Sequence, residues 1–140
     1  MNNSPNGTEW LIEAFDCAED CLRSQDSLTG LFSEIVSAMH LSPVGKPLWH
    51  QFPLTAGLTG VWLLQESHLA IHTFPEHSSA CLNLFCCRRR ESPDWSALLT
   101  CYLGAGQVLV RECERHYMRS RVVGVLPPVA AEGPAKVKSS

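Results

Sequence analysis

The sequence lacks several features that would assign it to a common class of protein. It has no apolar run close to the roughly 20 residues that cross a bilayer. It contains neither GxGxxG nor GxxxxGK[ST], the glycine patterns of Rossmann and P-loop nucleotide sites. Its formal net charge is -3, so it has no basic excess that would gather phosphates. These absences argue against a membrane-spanning chain and a nucleic-acid-binding protein.

Cysteine is present in seven copies, but no CxxC pair occurs among them. Cys17 and Cys21 could lie one helical turn apart, whereas Cys86 and Cys87 are adjacent, so the usual zinc spacings are missing. Residues 1–7 are polar and uncharged and resemble neither a signal nor a transit peptide. We therefore expect a cytosolic protein with free thiols, no metal and no membrane contact.

The chain is long enough for one domain with a real core. It has 140 residues, of which 45% are hydrophobic and 18% charged, the balance of an ordinary globular protein. We predict a disordered leader over residues 1–7, a single domain over residues 8–124 and a mobile tail over residues 125–140, where Pro, Ala, Gly and Lys predominate.

Hydrophobic periodicity predicts an alternation of strands and two long helices. One helix has Ser27 as its cap and an apolar stripe from Leu28 to Met39, and the other follows Ser92-Pro93-Asp94. A turn or short helix is predicted over Asp16–Gln25. The predicted strands are Glu9–Phe15, Leu48–Phe52, Val61–Leu64, His68–Thr73, Ala80–Cys87 and Val108–Cys113. This order predicts an α+β two-layer sandwich, in which an antiparallel sheet carries two helices on one face and each half of a duplicated motif supplies one helix.

One stretch combines acid–base groups with the apolar pattern of a buried strand. Residues 65–77, QESHLAIHTFPEH, hold a serine, three histidines and two glutamates. Such a conflict between polarity and a core environment is expected at functional sites. The run Arg88-Arg89-Arg90, a little further on, is interpreted as a solvated strand end.

Spacing alone leaves the chemistry of this stretch open. Ser67 lacks the G-x-S-x-G elbow of a hydrolase nucleophile. On a strand, His68 and His72 share one face and could bind zinc together with Glu76 or His77. The remaining interpretation is that these histidines are hydrogen-bonded structural residues.

A family resemblance distinguishes between these interpretations. Residues 66–76, ESHLAIHTFPE, resemble the self-cleavage motif of bacterial and archaeal S-adenosylmethionine decarboxylases, E-S-H-x-x-I-H-T-[WYF]-P-E. Upstream, GLTGV at 57–61 resembles the family's G-[VI]-[ST]-G-V. Downstream, ACLNLFCC at 80–87 resembles A-x-[LVI]-[DN]-[VLI]-[FY]-x-C. The resemblance covers roughly residues 8 to 115.

The resemblance implies that the chain makes its own cofactor. In this family a serine hydroxyl attacks the preceding carbonyl, the resulting ester is eliminated, and loss of ammonia leaves a pyruvoyl group. Here the Glu66–Ser67 bond would be cleaved, giving a β chain of residues 1–66 and an α chain of residues 67–140. The substrate amine then forms a Schiff base with the pyruvoyl ketone, which accepts electrons as carbon dioxide leaves.

Individual roles follow from the same resemblance. Ser67 matches the pyruvoyl precursor, His72 the base in processing, and Thr59 a hydroxyl that assists the acyl shift. Cys87 matches the proton donor in turnover, with Cys86 on the opposite strand face as a bystander. For substrate binding, Glu76 matches a glutamate near the substrate, and Phe52 falls near an aromatic residue that stacks on adenine. Gly57 and Gly60 are expected where backbone segments approach closely.

The sequence also departs from the family pattern near the substrate. Ser78-Ser79-Ala80 stands where Gly-Tyr-Ala is common, Asn83 replaces a frequent aspartate, and Cys86-Cys87-Arg88 replaces Thr-Cys-Gly. The resemblance implies S-adenosylmethionine as the substrate, for spermidine synthesis, and the departures leave ornithine or arginine, by the same mechanism, as the alternative. A third hypothesis is a homologue that does not cleave itself and serves as a binding partner. The retained Ser67, His72 and Cys87 argue against it. The family also implies a homodimer of αβ protomers with active sites at or near the interface.

Overall fold

A computed structural model describes residues 6–118 and the backbone of Lys138–Ser139. The predicted leader falls mainly before this range, but Asn6 and Gly7 already belong to the first strand. The end of the predicted domain and most of the predicted tail lie outside the described residues. Lys138–Ser139 pair with Gln107 and Val108 as a two-residue strand.

Strands are the most abundant secondary structure among the described residues, and each of the six predicted strands is present with shifted ends. In chain order they are β1 Asn6–Phe15, β2 Leu48–Gln51, β3 Leu58–Leu64, β4 Ser67–Phe74, β5 Ser79–Cys86, β6 Gln107–His116 and the short β7 Lys138–Ser139. The sheet order is β2-β3-β4-β5-β1-β6-β7, and every pairing between neighbours is antiparallel. This agrees with the predicted α+β sandwich.

Helices number three among the described residues, together with one turn of 3₁₀ helix. They are α1 Glu19–Leu22, α2 Gln25–Ala38 and α3 Trp95–Leu103, and the 3₁₀ turn is Pro75–His77. The predicted cap of α2 was wrong, because the helix begins one turn earlier and Ser24 accepts the N–H of Ser27 at 3.1 Å. Asp94 caps α3 by accepting the N–H of Ala97 at 3.1 Å, so the predicted helix is present but starts after Pro93 instead of at it. None of the described helices is long and apolar enough to cross a membrane.

The core lies between one face of the sheet and the two long helices. On the helical side Leu28, Leu31, Phe32 and Ile35 of α2 are fully buried, as the predicted apolar stripe requires. On the sheet side, alternating residues of the longer strands are buried in the same cluster, such as Trp10, Ile12 and Ala14 of β1; Leu69 and Ile71 of β4; and Leu82 and Leu84 of β5. The intervening residues of these strands lie on the opposite face, which we call the open face.

Candidate active site

The scissile peptide predicted from the sequence lies at the tip of a hairpin. Gln65 and Glu66 form the two-residue turn between β3 and β4, and Leu64 pairs with Ser67. The N–H of Gln65 donates to the carbonyl of Ser42 at 2.8 Å, which anchors the turn to the segment after α2. Neither turn residue has a positive φ, so the turn that carries the scissile peptide does not depend on a left-handed backbone conformation.

Ser67 is the first residue of β4 and is buried on the helix side of the sheet. It pairs with Cys86 of β5, so the serine hydroxyl and the Cys86 thiol are neighbours on the same face of the sheet. Burial raises the pKa of that thiol to about 11, outweighing the lowering by Arg90 and Ser67. Cys86 is buried whereas Cys87 is exposed, as their predicted opposite faces require; it is also the immediate neighbour of the serine, and its thiol stays protonated at neutral pH.

The Glu66 carbonyl already has a hydrogen-bond donor. The backbone N–H of Cys87 donates to it at 2.7 Å, continuing the β4–β5 ladder by one position. This carbonyl is the one that the Ser67 hydroxyl would attack, so the N–H points at the oxygen on which negative charge would develop. The Cys87 side chain itself is exposed, just beyond the end of β5.

A second group of predicted residues lies at the other end of the hairpin. Thr59 pairs with His72 across β3 and β4, and Thr59 Oγ1 lies 3.0 Å from His72 Nδ1 on the open face. Phe52 follows β2 at this end, where its N–H donates to the Gly57 carbonyl at 2.8 Å. Glu76 is exposed on the 3₁₀ turn that follows β4.

The structure therefore divides the predicted site into two groups. The cleavage group consists of Glu66, Ser67, Cys86 and Cys87, and the histidine group consists of Phe52, Thr59, His72 and Glu76. Five residues separate Ser67 from His72 along β4, which corresponds to about 17 Å on an extended strand. Their side chains also point to opposite faces of the sheet. One copy of the chain does not bring His72 to the serine it was predicted to serve.

His68 takes part in a polar network on the open face. Its Nε2 lies 3.2 Å from Asn83 Oδ1, and Asn83 in turn donates to Glu9 at 2.7 Å. Glu9 forms an ion pair with Arg115, whose guanidinium lies over the Phe85 ring. His68 thus has the hydrogen-bonded environment of a structural histidine. Within residues 6–118, no three His, Cys, Asp or Glu side chains are grouped closely enough to hold a metal ion.

Two arginines at the cleavage turn were missed by the sequence interpretation. Arg88 Nη2 lies 3.0 Å from Glu66 Oε1, and Arg90 Nη2 lies 3.9 Å from Glu66 Oε2. Arg88 is exposed beyond the end of a strand, as predicted, but the prediction missed that both arginines form ion pairs with Glu66. Their contact with Glu66 depends on the register between β4 and β5, which the sequence alone does not determine.

Comparison with known proteins agrees with the motif. A family model described as S-adenosylmethionine decarboxylase matches residues 8–116. Proteins named S-adenosylmethionine decarboxylase proenzyme are similar: that of Bacillus cytotoxicus is 32% identical over 91 residues, covering 65% of this chain and 68% of its own. Those of Thermodesulfovibrio yellowstonii and Archaeoglobus fulgidus are 30% and 31% identical, covering 65% and 58% of this chain and 66% and 70% of their own lengths. The chain therefore belongs to the S-adenosylmethionine decarboxylase family.

Proposed function

We propose that this chain is a proenzyme that cleaves itself between Glu66 and Ser67 and then decarboxylates S-adenosylmethionine. The observation that carries the proposal is the arrangement at the scissile peptide. A serine directly follows the carbonyl that its hydroxyl would attack, and the backbone N–H of Cys87 donates to that carbonyl. The relatives' shared name, proenzyme, supports cleavage as the first event.

Self-cleavage proceeds in two bond-breaking steps. The Ser67 hydroxyl attacks the Glu66 carbonyl carbon, the peptide C–N bond breaks and an ester remains, while the Cys87 N–H stabilises the oxyanion. A base then removes the proton from Ser67 Cα, the Cβ–Oγ bond breaks, and Glu66 leaves as a carboxylate. Addition of water and loss of ammonia convert the former serine into a pyruvoyl group.

The residues around Ser67 fit such a group. The serine is the first residue of a strand, so cleavage leaves the sheet pairing of β4 intact while it frees the new terminus. When formed, the pyruvoyl group supplies a carbonyl that accepts electrons during decarboxylation. Cys87 lies exposed at the same end of the sheet and returns a proton to the substrate carbon. Glu76 and Phe52, from the histidine group, bind and orient the substrate.

A second copy of the chain supplies the histidine group. The separation of about 17 Å along β4 keeps His72 from Ser67 in one copy, so we propose a homodimer in which His72 and Thr59 act on the partner's Ser67. The open face supports this arrangement, because it presents exposed apolar side chains at Leu48, Val61 and Leu63. When two copies pack their open faces together about a two-fold axis, the His72 end of β4 in one copy lies near the Ser67 end of β4 in the other. By symmetry the same contact forms a second time in the dimer.

Decarboxylated S-adenosylmethionine is the aminopropyl donor for spermidine, and we place the chain in that biosynthesis. The matched relatives' names contain S-adenosylmethionine, and no observation favours ornithine, arginine or a binding role without processing. The cytosolic location stays a prediction.

Carbon dioxide release tests the substrate assignment. Purified cleaved protein is offered S-adenosylmethionine, ornithine and arginine, each labelled at the carboxyl carbon, in parallel reactions. We expect release from S-adenosylmethionine alone, and the Ser67→Ala chain should release none from any of the three. Preferential release from ornithine or arginine would contradict the assignment and leave the cleavage mechanism standing.

A further inference from the structure

The side chain of the scissile residue lies between two guanidinium groups. Arg88 and Arg90, which we call the arginine pair, approach Glu66 Oε1 and Oε2 at 3.0 and 3.9 Å. Arg90 also donates from Nη1 to the carbonyl of Met39, the residue that follows the last turn of α2, at 3.4 Å. A guanidinium is favourable at this negative end of the helix dipole. Arg90 is therefore held between α2 and the cleavage turn.

The charge balance of this cluster suits the cleaved state better than the intact one. Before cleavage, the two guanidinium groups face one negative charge, the Glu66 side chain. The elimination step adds a second carboxylate to the same residue, at the carbonyl that now accepts the Cys87 N–H. Groups that match the charge appearing in a transition state accelerate the step in which it appears.

Stability alone gives a weak reason for the arginine pair. The Arg88 side chain is 71% exposed and that of Glu66 is 41% exposed, and exposed ion pairs contribute little to folding. Arg88 also stands where the resembling motif has glycine, so the backbone at this position does not require the side chain. The contact with Glu66 is therefore the better explanation for an arginine at position 88.

We propose that the arginine pair stabilises the Glu66 carboxylate as it leaves Ser67, an inference that rests on the proposed self-cleavage. In that step a proton leaves Ser67 Cα, the Cβ–Oγ bond breaks and its electron pair passes to the Glu66 carboxylate. Arg88 and Arg90 are positioning residues, because they hold the leaving residue by its side chain and lower the energy of its new charge. The pair affects the elimination more than the preceding acyl shift.

The test separates these two steps in freshly made protein. Chains are produced by cell-free translation, their cleavage is followed on denaturing gels, and samples are treated with neutral hydroxylamine, which cuts the ester intermediate. Replacing both arginines by glutamine (R88Q/R90Q) should slow cleavage about ten-fold, less than the 10²-fold typical of a buried donor because Arg88 is exposed. Uncleaved R88Q/R90Q chains should contain ester that hydroxylamine splits at Glu66, whereas uncleaved wild-type chains should contain little.

Matched variants identify charge as the cause. R88K/R90K keeps both positive charges and should restore a rate within about three-fold of wild type. R89Q changes the arginine between them, which has no ion pair within residues 6–118, and should behave as wild type. The inference is overturned if R88Q/R90Q keeps pace with wild type, if it is slow without accumulating ester, or if R88K/R90K is as slow as R88Q/R90Q. A wild-type chain that stays whole overturns the proposed function and this inference together.

Discussion

Adjacent cysteines at the end of β5 have opposite surroundings. Cys86 is buried against the Ser67 hydroxyl, and its pKa is raised to about 11, chiefly because burial disfavours the thiolate. Cys87 is exposed, and its backbone N–H contacts the Glu66 carbonyl. In the proposed mechanism these surroundings would separate processing from turnover: the buried Cys86 side chain would orient the nucleophile, and the exposed Cys87 side chain would serve the substrate.

Single alanine variants should distinguish these two roles. Cys87→Ala keeps the backbone N–H and should still cleave, but its turnover should fall by on the order of 10²-fold or more through loss of the proton donor. Cys86→Ala should cleave more slowly and yet keep the turnover of each chain that does cleave. Cleavage is measured by gel and turnover by carbon dioxide release per cleaved chain. Equal effects on turnover would contradict the assignment.

The same pKa predicts a difference in thiol reactivity. Because the Cys86 pKa lies above its ordinary value of 9.0, its thiol stays neutral at pH 8 and lacks the thiolate that reacts with iodoacetamide. In the Ser67→Ala chain, peptide mass spectrometry should find Cys87 alkylated and Cys86 unmodified at pH 8. Because the pKa of Cys86 is higher in the folded chain than in the unfolded chain, the free energy of unfolding should also fall as pH rises from about 9 to 11. In that range the unfolded chain loses the thiol proton while the folded chain keeps it. Rapid labelling of Cys86 at pH 8 would contradict its buried position.

Several residue-scale features were not accessible to sequence reasoning. The pairing of Arg88 and Arg90 with Glu66 depends on the β4–β5 register, which joins residues more than 20 positions apart. The contact between Cys86 and Ser67 has the same origin. The division of the site, by contrast, was readable: residues an odd number of positions apart on a strand point to opposite faces, which applies to Ser67 and His72.

At the scale of elements, the β2–β3 pair shows why glycine precedes the cleavage hairpin. A side chain at Gly60 would overlap the ring of Trp49, its register partner on β2. That ring stacks on Phe32 of α2 with centroids 5.0 Å apart, so it has little room to move. The expectation of a close backbone approach is confirmed at Gly57, where an added Cβ would lie 2.6 Å from the Thr73 carbonyl oxygen, but was wrong at Gly60, where the close contact is a side chain.

Replacing Gly60 should destabilise the sheet while a second glycine tolerates the same change. In the uncleavable Ser67→Ala background, Gly60→Ala should lower the free energy of unfolding by about 1–3 kcal/mol, because the added methyl group displaces Trp49. Gly30→Ala in α2 meets only the ring edge of Tyr102, which can shift, and gains helix propensity of about 1 kcal/mol. Urea denaturation measures both. A Gly60→Ala chain as stable as its background would show that the ring is not confined.

Element types were predictable because alternation and helical stripes are strong signals, whereas element ends were not. The α2 start was misplaced because Ser24 and Ser27 are both good caps and Gln25 and Asp26 give the first turn no apolar residue. β1 begins at Asn6, before its predicted start at Glu9. Thr8 pairs with Cys86 of β5, and Gly7 lies so close to the Cys86 carbonyl that a side chain there would clash, which composition alone does not reveal. The α1 helix is only four residues long, too short for a clear helical pattern, so the sequence predicted either a turn or a short helix there.

At the scale of the whole molecule, mixed dimers test whether His72 serves the partner's Ser67. His72→Ala chains should remain whole when expressed alone. Coexpressed with Ser67→Ala chains, which keep His72, they should regain cleavage, because a mixed dimer places an intact histidine group against an intact serine. The control partner carries both Ser67→Ala and His72→Ala and should restore nothing. His72→Ala chains that stay whole beside Ser67→Ala chains would contradict the shared site.

The central claim is that the chain converts its own Ser67 into a cofactor, and intact mass spectrometry of the purified protein tests it most directly. Under denaturing conditions the wild-type sample should give two masses, residues 1–66 with a free carboxyl group and residues 67–140. The second fragment should be lighter by one ammonia than the same fragment beginning with serine. A single full-length mass, or a second fragment with an unmodified serine at its start, would contradict the claim.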